Sequence, residues 1–457
     1  MENKNKGITL VALIITIVVM LILVAVSVNV VIKSNLIGTA EKTVDKYNKV
    51  AEEEGNSGVI EIDGKKYASI EEYINLSSIN IPGGTRVNKN TEYKAGDKTA
   101  IIPAGFTVSG INSERTIDGG LVIYDIPEGT AVDWTATTTV GTENYPTVQC
   151  NYNQFVWVPV ETPYVTKAEL DRIINDSNGT ITTEKAALQS LVDSGKYPMA
   201  VQLANGTDYR GVLYIFSEGT NKINITVSDF STTANYNDGS VTYKREPAKL
   251  SNNDSDYVNK TKEQELDLQT EFNNIVKSVE KQKGFWVARY ELSHTKVNGI
   301  NKAESKRGQT VSSAAVLHLW YGLYETCQNV NLQSGTGMES SMIYGSQWDQ
   351  IMIWMKEERN INDNTLFYIL NSNNMGNYTN DWQVCGYKSD YSVKQVFDLG
   401  GNLWDYTVEA SKDSERTSRG SYRGFYMSPS DRISTWPADE LFYYDNIKSA
   451  RFILYNA

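Results

Sequence analysis

From Ile8 to Ile32 the chain carries no charged residue, a run of about 25. A helix of about 20 apolar residues already crosses the hydrocarbon core of a bilayer, so this stretch has one economical conformation, a single membrane-spanning helix over residues 8–33. It exceeds the roughly 7 to 15 apolar residues of a cleaved secretory signal, and no small-x-small cleavage site follows it. Lys4 and Lys6 lie on its amino side, which places that side in the cytoplasm and the bulk of the chain outside. Beyond Ser34 the apolar residues Ile37, Ala40, Val44, Tyr47 and Ala51 recur at spacings of three and four between charges, the pattern of an amphipathic stalk over residues 34–58. An unbroken helix from Ile8 to Glu54 would be roughly 70 Å long. GNSG (55–58) punctuates it. VIEIDGKKYASIEEYIN, within a connecting segment 59–94, reads as a strand, an Asp-Gly turn and a short helix.

Acidic residues outnumber basic ones, 55 to 43, for a net charge of −12. Phosphate recognition needs a basic surface, so a nucleic-acid partner is excluded. Three cysteines, Cys150, Cys327 and Cys385, are too few for a disulfide scaffold, and the odd number leaves at least one unpaired within the chain. From about Ala95 short apolar bursts bounded by Gly and Pro announce strands: IIPAGFTVSG, TIDGGLVIYDI and NQFVWVPV. Residues 161–283 change character. ITTEKAALQSLVDSG is a helix with a threonine cap and a glycine stop, GVLYIFSE and INITVSD form a hairpin, and Leu268, Phe272, Ile275 and Val279 trace a helix face. We read 161–283 as an insertion into an α+β domain spanning 95–457.

GFWVARYELS returns to strand character, and two helices follow. VSSAAVLHLWYGLYETC puts Val316, Leu319, Trp320 and Leu323 on one face, and GSQWDQIMIWMKEE does the same with Trp348, Ile351, Met352 and Met355. His294 and His318 have no cysteine or second histidine at ligand spacing, so each is expected to be solvated or hydrogen-bonded. Phosphate-loop, dinucleotide, zincin, nucleophile-elbow and C-x-x-C motifs are absent. Toward the C-terminus, Asp398 and Asp405 in VFDLGGNLWDYTVEA offer hard oxygen ligands, or else simply cap turns. Between Gly420 and Asp445 aromatic and arginine residues crowd together: Arg423, Phe425, Tyr426, Arg432, Trp436, Tyr443 and Tyr444 are the candidate ligand-binding residues.

Two resemblances sharpen these expectations. KGITLVALIITI resembles the leader of type IV prepilins, which implies a leader over residues 1–7, cleavage between Gly7 and Ile8, and other pilins as partners. The family's glutamate at the fifth mature position is replaced by Ala12, which puts fibre assembly in doubt; an uncleaved signal anchor is the alternative. In the globular part, IPAGF, FVWVPV, ARYE, GNLWDY, RGSY and SARF, in that order, resemble the formylglycine-generating/sulfatase-modifying family, whose fold is related to C-type lectins. The resemblance implies that fold after the anchor and stalk, and a structural calcium ion held by Asp398, Gly401, Leu403 and Asp405. It implies no copper oxidase activity, because that chemistry uses a cysteine pair after the R-G-S-Y strand and no cysteine follows Cys385. The expectation is therefore a single-pass protein of the bacterial cell membrane whose extracellular, non-catalytic lectin-like domain recognises a glycan or protein ligand, as in adhesion. An enzyme of the wider superfamily using non-cysteine chemistry, and a retroelement-diversified variable binding protein, are the alternatives.

Overall fold

In the computed structural model the described residues are 60–62, 65–67, 76–220, 222–228, 233–235, 240–250, 260–333, 337–356, 376–378, 381–411, 415–422, 428, 430, 432–437 and 445–456. The anchor, the stalk, Gly7 and Ile8 lie outside them. Among the described residues no helix is long and apolar enough to cross a membrane. The chain divides into two units, Met1–Ser78 and Ile79–Ala457. In the first, Ile60–Ile62 and Lys65–Tyr67 pair antiparallel, while the Asp-Gly turn read from the sequence lies outside the described residues.

The second unit begins at Ile79 rather than near Ala95, because Ile81 and Val87 are buried in its core and Val87 exchanges backbone bonds with Gly105 and Phe106. Its principal elements are β1 (Thr107–Val108), β2 (Val122–Tyr124), β3 (Gln154–Pro159), α1 (Lys167–Asp176), α2 (Glu184–Asp193), β4 (Tyr214–Glu218), β5 (Ile223–Val227), α3 (Leu268–Gln282), β6 (Gly284–Ala288), α4 (Ala314–Leu317), α5 (Leu319–Cys327), β7 (Glu339–Met342), α6 (Gly345–Met355), β8 (Trp404–Ser411), β9 (Glu415–Arg419), β10 (Arg432–Pro437), β11 (Lys448–Ala450) and β12 (Phe452–Tyr455). Two sheets dominate. The larger runs β7-β12-β6-β3-β2-β1, all neighbours antiparallel. The smaller runs β10-β9-β8-β11, with β8 and β11 parallel.

β3 and β6 are the centre of the larger sheet, and neither alternates in polarity because both faces are covered. Phe155, Val156, Trp157 and Val158 are wholly buried, and Trp157 meets Trp286 of β6 with ring centres 5.1 Å apart and planes tilted by 56°. Helix α3 packs on β6 and β12, and α6 packs on β3. As the periodicity requires, α3 turns Leu268, Phe272, Ile275 and Val279 inward, and α6 does the same with Trp348, Ile351, Met352 and Met355. Thr183 caps α2 by accepting from Ala186 N–H at 3.2 Å.

The segment VSSAAVLHLWYGLYETC departs from expectation. It is not one helix: His318 (φ 61°) and Leu319 (φ 73°) are left-handed, ending α4 and starting α5 along a new direction. The inward face becomes Leu317, Trp320, Leu323 and Tyr324, while Val316 is 59% exposed.

The 161–283 segment is built into the same hydrophobic core. Its carboxylates fasten it. Glu263 accepts two bonds from Arg416 of β9 (2.8 and 3.0 Å), Tyr321 OH (2.7 Å) and Leu250 N–H (2.8 Å). Glu271 of α3 accepts from the hydroxyls of Tyr324 (2.6 Å) and Tyr344 (3.0 Å).

Candidate functional site

The motif residues converge on the loop entering β8. Val396–Phe397 pairs with Ser392–Val393 across a two-residue turn, Lys394 and Gln395, both left-handed. Asp398 (φ 53°), Gly401 (φ 85°) and Asn402 (φ 57°) continue in that uncommon region. At Gly401 a side chain is doubly excluded, since a Cβ there would lie 2.3 Å from the Asn377 carbonyl oxygen.

This loop folds over three buried carboxylates. Glu291, from the ARYE segment after β6, accepts from Asn402 Nδ2 and from Leu403 N–H at 3.1 Å. Asp398 Oδ2 accepts from Gly386 N–H at 3.4 Å. Asp405, on β8, takes one bond through Oδ2 from Arg451 Nε at 3.3 Å, while its buried Oδ1 has no hydrogen-bond partner. Arg451, wholly buried, also donates to the carbonyls of Ala288 (3.0 Å) and Phe397 (2.8 Å). Burial raises the affinity of all three acids for a proton; for Glu291 the neighbouring Asp398 and Asp405 add to it, and for Asp398 and Asp405 the Arg451 charge opposes it. Of the three carboxylates, that of Asp405 bonds the Arg451 guanidinium, which acts on the other two only through its charge. Their oxygen chemistry, their excess negative charge and the orphaned Asp405 Oδ1 fit a hard cation, although among the described residues no group of three or more His, Cys, Asp or Glu is spaced to hold a metal.

A second polar centre lies beneath β8–β10. Arg419, of the RGSY segment, pairs with Asp349 of α6 (2.8 Å) and approaches Glu409 (3.6 Å). Arg432 was expected on a ligand face. It is instead only 7% exposed, bonded through Nε to Glu409 (2.8 Å), through Nη1 to the Tyr214 carbonyl (2.6 Å) and through Nη2 to Asp349. The reason is electrostatic: two buried acids demand a second guanidinium, so Arg432 belongs to the core network. Trp436 lies on β10, and Arg423, Phe425, Tyr426, Tyr443 and Tyr444 lie outside the described residues. Tyr422 and Trp404 are half-buried and meet edge to face at 4.7 Å.

Glu246, a residue that periodicity gave no reason to single out, completes this centre. Its carboxylate accepts the first N–H groups of α6, Gly345 and Ser346 (the latter at 3.0 Å), and it faces Glu409. Burial, reinforced by Glu409, pushes its pKa up to about 7. The sequence signal for such centres is present in hindsight: β8 and β9 place Asp405, Glu409, Arg416 and Arg419 inside strands whose every alternate position is also buried. Cys150, Cys327 and Cys385 are unpaired, the last two buried, and burial raises the pKa of each thiol. His294 is hydrogen-bonded to Ser312 Oγ at 2.7 Å.

Compared with protein-family models, with curated proteins and with solved structures, the chain finds no match in any of the three.

Proposed function

We propose that this chain is a membrane-anchored, pilin-like surface protein whose second unit is a sulfatase-modifying, C-type-lectin-like domain used for recognition rather than catalysis. One observation carries the reading. Arg289, Asp405, Arg419 and Arg451, the polar residues of the resembled motifs, are buried and bonded within the core, so the motifs serve to hold a scaffold. The segment after Ser421 is then left to carry specificity. There Tyr426, Trp436, Tyr443 and Tyr444, with Arg423 and Phe425, bring large rigid contact area at small entropy cost. Asp398, Gly401, Leu403 and Asp405 would hold a structural calcium ion that offsets the surplus negative charge under the loop.

The test is binding of the full-length protein to glycan arrays and host-cell surfaces. Tyr426→Ala or Trp436→Ala should lower affinity by about 2 kcal/mol with the unfolding midpoint unchanged. Undiminished binding by both variants would place recognition elsewhere and remove the support for this reading.

A further inference from the structure

The hairpin β4–β5 has a strand edge that the other described residues leave open. Gly219 N–H bonds to the Lys222 carbonyl and Ser228 N–H to the Leu213 carbonyl, each at 2.8 Å, which identifies the hydrogen-bonded pairs of the ladder. The alternate residues therefore turn both backbone groups outward: Tyr214 and Phe216 from β4, and Ile223, Ile225 and Val227 from β5. Side chains confirm this on both edges. On β4, Asp349 accepts from Tyr214 N–H (2.8 Å) and Arg432 donates to its carbonyl (2.6 Å). On β5, the Gln189 amide accepts from Val227 N–H (2.9 Å) and donates to the Ile225 carbonyl (3.2 Å), standing in for one residue of a neighbouring strand.

Past Gln189 the edge is bare among the described residues. The N–H of Ile225 and both backbone groups of Ile223 face a groove of about 680 Å³ between β5 and the C-terminal end of α2, and among the described residues nothing bonds to them. Its rim is electropositive in an acidic chain. Among the described residues Lys222 and Lys356 line it against a single carboxylate, Asp193, which already accepts from Gln189 Nε2 at 2.9 Å. Lys356 is held in place by the Tyr197 hydroxyl (2.9 Å) and ring (4.1 Å to its centre). Val192, Ile223 and Ile225 supply apolar lining.

We propose that this groove docks an extended, acidic peptide segment of a partner protein, added as a third strand to β5. The N–H of Ile225 and the carbonyl of Ile223 would pair with the peptide backbone, and the two lysines would receive its carboxylates. The site uses none of the residues of the C-terminal recognition segment and stands or falls apart from it.

The experiment titrates full-length protein in detergent with labelled eight-residue peptides that alternate Val or Thr with Glu. The expected result is saturable binding with new amide-exchange protection at Ile223 and Ile225. N-methylation of alternate peptide amides should weaken it about tenfold or more, and Lys222→Glu and Lys356→Glu by several-fold each, with unchanged unfolding midpoints. Equal binding of the N-methylated peptide, absence of protection at Ile225, or failure of all the acidic peptides to bind would each overturn the proposal. So would concentration-dependent pairing of two copies through β5 in place of peptide binding.

Discussion

Two buried carboxylate centres solve the same problem differently. Glu114 receives four donors: Ser109 Oγ (2.6 Å), Tyr124 OH (2.7 Å), Gln149 Nε2 (2.7 Å) and Arg289 Nη1 (2.6 Å). Under β8–β10, Asp349 and Glu409 share Arg419 and Arg432, Glu246 rests on two backbone N–H groups of α6 beside Glu409, and Glu409 Oε2 has a guanidinium at 3.6 Å but no hydrogen bond. A Cβ built at Gly345 would sit 2.0 Å from Glu409 and 3.1 Å from Glu246, which shows how close the two acids are. The difference lies in the charge of the donors as much as in their number, since Glu114 has a guanidinium among its four and Glu246 has neutral N–H groups beside a second acid. Where the donors are neutral and the neighbour is another acid, burial wins, and the Glu246 pKa is pushed up to about 7.

The largest effect should come from breaking the satisfied centre. Arg289→Ala leaves the buried Glu114 carboxyl without its cation and should cost about 3–5 kcal/mol in denaturant unfolding. A loss under 1 kcal/mol would mean that the neutral donors alone suffice. The under-supplied centre should instead reveal itself through pH. An acid that binds its proton more tightly when folded costs nothing while both states are protonated, and progressively more as the pH climbs through the gap. For Glu246 the gap runs from 4.5 to about 7, and for the buried Asp125 from 3.8 to about 7, so stability should fall between about pH 4 and 7. The depressed carboxylates Asp133, Glu143, Glu169 and Asp208 lie near the surface and act in the opposite sense, below their ordinary values. Glu246→Gln should lose about 1 kcal/mol at pH 5, where an amide N–H₂ replaces an acceptor, yet remove ~2 kcal/mol of the decline from pH 5 to 8. A variant with the parent's slope would move the retained proton to another group.

Smaller still is the expected response to calcium. A site that binds only the folded chain should add about 1.4 kcal/mol at a free ion concentration tenfold above its dissociation constant. A midpoint indifferent to both calcium and chelator would show Arg451 to be sufficient counter-charge for Asp405 and its neighbours. Thr183→Ala removes the cap of α2 and should cost about 1 kcal/mol with no change in pH slope.

Periodicity made the apolar skeleton legible. The inward faces of α3 and α6, the hairpin β4–β5 and the buried strand β3 follow from spacing alone, because burying apolar area is a one-dimensional pattern problem. The polar interior did not follow. Arg432 looked like a contact residue because arginine among aromatics is typical of binding surfaces, and only three-dimensional proximity to Asp349 and Glu409 draws it inside. His318 and Leu319 carry no helix-breaking signal, so the division between α4 and α5 is imposed by tertiary packing over local preference.

The position of β12 has a consequence for how the domain acquires its structure. Phe452–Tyr455 fills the slot between β6 and β7, and its antiparallel partner β6 was synthesised roughly 170 residues earlier. Until the ribosome has released that strand, Trp286, Val287 and the Ser340–Met342 segment have an unfilled gap beside them, a pairing of very long loop closure and correspondingly slow formation. Nascent chains halted short of Phe452 should remain protease-sensitive throughout the larger sheet, and a chain held in that open condition is one still able to thread through a membrane channel.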